Sequence, residues 1–202
     1  MKLLWKGIDM RKVNARSIIL CGLFAALIAV GAFIKIPFGP APFTFQVLFV
    51  VLSGLLLGSK RALTSVLVYI AIGLSGIPVF AGGGGINYVI HPTFGYLIGF
   101  ALAAFIIGCF AERMKEYSIV KMLLVSFLGV LAAYTCGLIY FYIISNYVIS
   151  NPIGVKALLW SCFAIFIPGD IIKCIVSVLL AKRLNRAISF LPVQLIKREE
   201  NS

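Results

Sequence analysis

Charged residues are scarce in this sequence. Asp, Glu, Lys and Arg make up only 12% of the 202 residues, and 62% are hydrophobic, whereas about one-quarter of the residues are charged in an ordinary soluble domain. This composition excludes an ordinary soluble globular domain. Short charged or Gly/Pro-rich breaks separate the apolar runs and leave no room for a second domain. We therefore predict one compact domain embedded in a membrane.

Residues that support common enzyme and cofactor chemistry are also few. The chain has six acidic residues, one histidine and five cysteines, and the cysteines all fall inside apolar runs without the short pair spacing of metal sites. The segment from Gly54 to Lys60 imitates a phosphate-binding loop, but only three residues separate its glycines, where such a loop has four. We therefore expect no metal, no cofactor and no ATPase in this chain.

The apolar runs predict an all-α bundle of six transmembrane helices. They lie near residues 17–36, 44–58, 62–77, 93–111, 119–145 and 157–182. The second and third runs are short, and the charged turn 58–61 between them predicts a helical hairpin. The membrane domain then covers residues 17–186, between a basic segment 1–16 and a tail 187–202. The first run has no clear signal-peptidase site after it, so we expect it to be retained.

Lysine and arginine are distributed unequally over the breaks between these helices. If both termini are cytoplasmic, 15 of the 18 basic residues fall on the cytoplasmic side, as the positive-inside rule requires. This topology explains the net charge of +12 better than nucleic-acid binding does, and it predicts a multi-pass protein of the bacterial cytoplasmic membrane. The outer segments 37–43, 78–92 and 146–156 are nearly uncharged. We expect irregular backbone there that is sheltered by protein or lines a cavity.

Asp170 is the one acidic residue predicted to lie inside the membrane, and Lys173 is the one intramembrane lysine. Their spacing of three residues places them on one helix face. Pro168 and Gly169 precede them and can interrupt the helix, so Asp170 can begin a new helical half whose amide end favours a carboxylate. Ionisable groups in a spanning segment indicate a functional site by default. The alternative is that the pair only neutralises itself and holds helices together.

Two further features carry weaker signals. Ala25 and Ala29, with Gly22 and Ala26 beside them, form a small-residue stripe on the first helix, which from spacing alone indicates internal helix packing. His91 lies in an outer loop with no Cys, Asp or Glu nearby, so a loop-packing role is the simplest interpretation.

Several stretches together resemble the BioY family. They are Phe24–Phe33, Pro42–Gln46, Pro78–Gly85, Pro92–Phe100 and Ile167–Lys173. Members of this family are the substrate-capturing S components of energy-coupling factor (ECF) transporters, and the likeness runs from about residue 16 to residue 186. The family usually has glycine where His91 and Phe94 stand, so the rim of the pocket is expected to differ here.

The resemblance implies an S-component fold that binds biotin from outside and works with a membrane T component and two cytoplasmic ATPase subunits. It implies that Ala25 and Ala29 face the T component and that a lid, segment 37–45, closes over the site with Pro42, Phe43 and Thr44. It also implies that Asp170 and Lys173 bind the polar groups of biotin. The secondary substrate-binding candidates are Gly83, Gly84, Asn87, Gln46 and Tyr96.

The sequence leaves some alternatives open. Lys173 suits the carboxylate of biotin, and Asp170 either accepts the ureido N–H bonds or keeps Lys173 charged. Another vitamin, such as riboflavin or thiamine, is the nearest alternative ligand, because a fold alone does not name one. A membrane enzyme would need paired acid/base or metal-binding residues, and a channel would need a continuous polar path. Neither pattern is visible in the apolar runs.

Overall fold

The computed structural model describes residues 15–38, 41–114 and 118–187. Its helices are α1 (Ala15–Phe33), α2 (Gln46–Leu57), α3 (Ser59–Leu74), α4 (Phe94–Arg113), α5 (Ile119–Ile143), α6 (Val155–Leu159) and α7 (Ile167–Ala187). A π-helical turn, Ile144–Val148, prolongs α5, and a second one, Trp160–Ala164, joins α6 to α7. The last two helices therefore make one interrupted segment, which gives the six predicted segments. The flanking segments 1–16 and 187–202 lie almost wholly outside the described residues.

Among the described residues, four helical runs are long and apolar enough to cross a membrane, and α2 is a shorter apolar helix. α2 is hydrophobic on every side, which is typical of a helix surrounded by others. Ten of its twelve residues are buried, and it contacts α1, α3, α4 and α7. The core of the bundle is therefore built around a helix too short to span a bilayer by itself.

The turn between α2 and α3 is a tight hairpin, as the sequence predicts. Gly58 has φ 79°, a conformation that glycine adopts without steric cost. The backbone N–H of Ser59 donates to Oε1 of Glu112 at 2.7 Å, so a carboxylate satisfies a free amide at the start of α3. A side chain at Gly108 would overlap the backbone of Ser59. This hairpin is thus fixed against the last turns of α4.

We expected irregular backbone in segment 37–43, but most of this segment belongs to a two-stranded antiparallel hairpin. β1 (Lys35–Phe38) pairs with β2 (Ala41–Thr44), and Pro37 stands opposite Pro42. Proline has no N–H to donate, but each strand of a two-stranded ribbon has an outer edge where no donor is needed. Proline at these two positions is therefore compatible with the hairpin. Thr44 ends it one residue before Phe45, which precedes α2.

Candidate binding site

A cavity lies where the β-hairpin meets α2, α4, α5 and α7. It contains about 650 Å³ of space not filled by protein atoms, including the part that opens to the surroundings. Its apolar wall consists of Ala41, Pro42, Phe43, Val47, Ala81, Leu97, Phe100, Val130, Ala133 and Phe166. Its polar side chains are Thr44, Gln46, Tyr88, Thr93, Tyr96, Tyr134, Asp170 and Lys173.

Asp170 and Lys173 form an ion pair in this wall. Each residue is 4% exposed, and the ammonium of Lys173 contacts Oδ1 of Asp170. Asp170 lies in the first turn of α7, which begins at Ile167, after the π-helical turn Trp160–Ala164. The helix therefore restarts just before Pro168 and Gly169 and is not interrupted by them, and the backbone N–H of Asp170 donates to the carbonyl of Phe166 at 2.9 Å. The two charges share one helix face and are buried together.

Both members of the pair also bind neighbouring elements. Nζ of Lys173 donates to the carbonyl of Thr44 at 2.8 Å and lies 3.7 Å from the centroid of the Phe43 ring. The hydroxyl of Tyr134 donates to Oδ2 of Asp170. Buried charges are tolerated only when they are paired and hydrogen-bonded. These contacts therefore hold the pair in place and connect α7 to the β-hairpin and to α5.

Gln46 belongs to a second buried network. Its Nε2 donates to the hydroxyl of Tyr69 at 2.9 Å, and its Oε1 accepts from Oγ1 of Thr44 at 3.2 Å. The hydroxyl of Tyr69 donates in turn to the carbonyl of Val79 at 3.2 Å. Because the amide has a fixed donor and a fixed acceptor partner, its orientation in the wall is set.

Tyr96 presents its ring to the cavity, while its hydroxyl is used elsewhere. The hydroxyl donates to the carbonyl of Cys162 at 3.0 Å, a residue in the π-helical turn before α7. Tyr134 packs edge-on against Tyr96 and against Phe163, with ring centroids 6.0 and 4.9 Å apart. The aromatic rings therefore support the irregular turn that precedes Asp170.

The outer rim is formed by the loop before α4, which contains a 3₁₀ turn, Ile86–Ile90. The ring of His91 stacks on Tyr88 with centroids 4.8 Å apart and 12° between the planes. Its Nδ1 lies 2.7 Å from Oγ1 of Thr93, which lies 3.0 Å from the hydroxyl of Tyr88. Burial lowers the pKa of His91 below its usual value of 6.5.

The structure brings some predicted site residues together and places others apart. The residues in the cavity wall are Asp170, Lys173, Gln46, Tyr96 and the three lid residues Pro42, Phe43 and Thr44. Gly83, Gly84 and Asn87 are not among the lining residues, and Asn87 is exposed. A side chain at Gly84 would overlap the backbone of Ile77, so this glycine serves packing within the loop. Ligand contact by these three residues stays a prediction.

Sequence reasoning missed Tyr134 and Thr93 as polar members of the wall, and it placed Tyr88 only among the aromatic residues of the outer boundary. Tyr134 had a signal, because it carries a hydroxyl in the middle of an apolar helix and such a group needs a partner when buried. Its partner Asp170 is 36 residues away in the sequence. Only the packing of α5 against α7 shows that the two belong together.

The small residues of α1 are arranged differently from the predicted stripe. Ala25 is 3% exposed and packs in the core, and Ala29 is half-buried. The small residues on the open side of the helix are Gly22 and Ala26. A side chain at Gly22 would meet no atom within 4 Å. The open small-residue surface of α1 is therefore centred on Gly22 and Ala26.

Comparisons with known proteins agree with the fold and with the motifs. A model of the BioY family matches residues 8–190. The probable biotin transporter BioY of Lysinibacillus sphaericus is 40% identical over 96% of this chain and 99% of its own length. The biotin transporter BioY of Thermotoga maritima is 41% identical over 85% of this chain and 96% of its own.

A solved structure is also similar. It is the crystal structure of the S component for biotin from an ECF-type ABC transporter, with a TM-score of 0.75 and 30% sequence identity. The match covers 89% of this chain and 94% of the solved one. At this coverage the similarity extends to the whole bundle.

Proposed function

The chain belongs to the BioY family, and from this premise we propose that it captures biotin in the cell membrane as the S component of an ECF transporter. The observation that carries the proposal is the buried Asp170–Lys173 pair in the wall of a largely apolar cavity. Biotin has an apolar bicycle and an apolar valeryl chain, with a ureido group at one end and a carboxylate at the other. A pocket with apolar walls and a few fixed polar groups suits such a molecule.

The ureido group is the better partner for the ion pair. Asp170 and Lys173 together carry no net charge, and at 4% exposure each they are shielded from water. A carboxylate placed here would leave an uncompensated buried negative charge, which is strongly unfavourable. A neutral ureido group adds no charge, and it offers a carbonyl to the ammonium and an N–H to the carboxylate. We therefore assign the ureido ring to this end of the cavity.

The β-hairpin is the proposed lid. Phe43 packs against Phe166 with ring centroids 5.7 Å apart, and a side chain at Gly169 would overlap its ring. Lys173 holds the carbonyl of Thr44, the last residue of β2. A ligand that binds Lys173 would therefore bind a residue that also holds the end of the hairpin. On this basis Pro42, Phe43 and Thr44 are proposed to open and close over biotin.

The energising subunits are proposed to be a membrane T component and two cytoplasmic ATPases. The segment from Gly54 to Lys60, which only imitates a phosphate-binding loop, supports ATP hydrolysis by a separate subunit. Gly54 is packed against Ile107, and the amide of Ser59 is occupied by Glu112, so the segment has no open cradle for a phosphate. For the T component, the exposed surface around Gly22 and Ala26 permits close helix packing. Cytoplasmic placement of both termini stays a prediction from the basic residues.

Binding of labelled biotin to the purified full chain in detergent tests the proposal, with unlabelled vitamins as competitors. We expect biotin to displace the label and equal concentrations of riboflavin or thiamine to leave it bound. Displacement by riboflavin or thiamine, with none by biotin, would assign the S component to another vitamin. Absence of binding by every vitamin would remove the proposed function altogether.

A further inference from the structure

Three side chains at the rim form a hydrogen-bonded chain that the proposed contacts with the ureido ring do not use. Tyr88 and Thr93 line the cavity and are 7% and 8% exposed. His91 is exposed on its outer side and reaches both of them, through a hydrogen bond to Thr93 and a stacked contact with Tyr88. This hydrogen-bonded network thus runs from the exposed side of His91 to the cavity wall.

The direction of its hydrogen bonds follows from the backbone. The N–H of Thr93 points at Nδ1 of His91, 3.3 Å away, so this nitrogen carries a lone pair and not a proton. The hydroxyl of Thr93 then donates to the same nitrogen at 2.7 Å, and the hydroxyl of Tyr88 donates to Thr93 at 3.0 Å. Both hydroxyl hydrogens are therefore directed along this hydrogen-bonded network toward His91.

We propose that Tyr88 and Thr93 bind the carboxylate of the ligand and that His91 switches them into donors by taking up one proton from water. A proton on Nδ1 turns this nitrogen into a donor to Oγ1 of Thr93 and removes the acceptor of the Thr93 N–H. The hydroxyl groups of Thr93 and Tyr88 then no longer donate within this hydrogen-bonded network, and both can donate to an anion. His91 acts here as a positioning residue. The inference rests on the proposed function, because it needs a ligand with a carboxylate at the end away from Asp170 and Lys173.

The position of the rim favours an anion more than the buried pair does. Tyr88 and Thr93 are 7% and 8% exposed, nearly as buried as Asp170 and Lys173, so the loss of hydration does not distinguish the two ends of the cavity, and the nearby charges do. Lys35 adds a positive charge at the edge, because its Nζ donates to the carbonyl of Ala81, which lines the cavity. An anion bound at the rim is thus close to a fixed positive charge and to a histidine that can become positive.

The groups around His91 make the pH dependence specific to it. Tyr88 stacks on the ring, and Tyr140 of α5 donates to the carbonyl of Val89 on the same turn. Burial alone lowers the pKa of His91, and a bound anion raises it. Affinity for a carboxylate ligand is therefore flat at high pH and rises as the pH falls through the pKa of the liganded state.

The test compares biotin with biotinamide, which lacks the negative charge, between pH 8 and pH 5.5. For the wild-type chain we expect biotin affinity to rise about three- to tenfold toward pH 5.5, since a shift of one pKa unit corresponds to about tenfold. Calorimetry in buffers of different ionisation enthalpy should show proton uptake with biotin and none with biotinamide. In His91→Asn the amide oxygen still accepts from Thr93 but cannot take up a proton. Its biotin affinity should therefore be independent of pH.

Further variants separate the switch from a general effect on the loop. Ile90→Ala, an exposed neighbour on the same turn, should keep the wild-type pH profile. Tyr88→Phe should weaken biotin about three- to tenfold at pH 5.5 and biotinamide much less. An unchanged pH profile in His91→Asn, or equal proton uptake with both ligands, would overturn this inference while leaving biotin capture intact. A wild-type chain that binds neither ligand at any pH would instead overturn the proposed function.

Discussion

Replacing both members of the buried ion pair at once separates a binding role from a structural one. Lys173→Met alone would leave the carboxylate of Asp170 buried without its counter-ion, and loss of one partner of such a pair costs about 3–5 kcal/mol of stability. In the double variant, which adds Asp170→Asn, no buried charge remains. The hydroxyl of Tyr134, which donates to the Asp170 carboxylate in the wild-type chain, keeps an acceptor in the carbonyl oxygen of the new amide. We therefore expect the double variant to unfold near the wild-type temperature.

The same double variant should lose biotin. The wild-type pair would offer biotin one charged donor and one charged acceptor, and hydrogen bonds to charged groups contribute about 1.5–3 kcal/mol each. Loss of both predicts a decrease in affinity of about 10²- to 10⁴-fold. The assay is equilibrium binding of labelled biotin to detergent-purified protein, with thermal unfolding of the same samples as the control for folding. A stable double variant that binds biotin within threefold of wild type would refute the reasoning, and the pair would then be structural only.

Three other substitutions test neighbouring parts of the account. Tyr134→Phe removes the hydrogen bond to Asp170 and should weaken biotin binding about three- to tenfold, whereas an unchanged dissociation constant would show that Asp170 needs no such support. Gly169→Ala places a methyl group against the ring of Phe43 and should displace the lid, so the dissociation rate of labelled biotin should rise; an unchanged rate would argue against closure by the hairpin. Ala26→Leu places a larger side chain on the open surface of α1 and should leave biotin binding in detergent unchanged while ATP-dependent uptake falls. Normal uptake in cells would place the partner surface elsewhere.

The sequence predicted what depends on hydropathy and on local spacing. The apolar run at 17–36 became α1 (Ala15–Phe33), and Asp170 and Lys173 share a face because three residues separate them on one helix. The open surface of α1 was harder to predict, because small residues at four-residue spacing do not show which side of the helix faces the core. Ala25 is buried although the resemblance had assigned it to a partner, and only the packing of α1 on α2 and α3 decides which side is open.

Features that depend on distant parts of the chain could not be predicted. Strands β1 and β2 contain one proline each, which local propensity disfavours in strands, and their hairpin is held by contacts from Lys173 and Phe166 more than 100 residues later. The glycine run, Gly82–Gly85, had suggested an approach to a ligand. In the fold, the backbone N–H of Gly83 donates to the carbonyl of Phe80 at 3.1 Å, so at least part of this run serves the loop itself.

A crystal structure of the full chain with biotin would show whether Asp170 and Lys173 bind the ureido ring. We expect the ureido carbonyl within hydrogen-bond distance of Nζ of Lys173, a ureido N–H facing the carboxylate of Asp170, and the valeryl carboxylate near the hydroxyls of Tyr88 and Thr93. Biotin bound outside this cavity, or bound in it without contact to Asp170 and Lys173, would contradict the account.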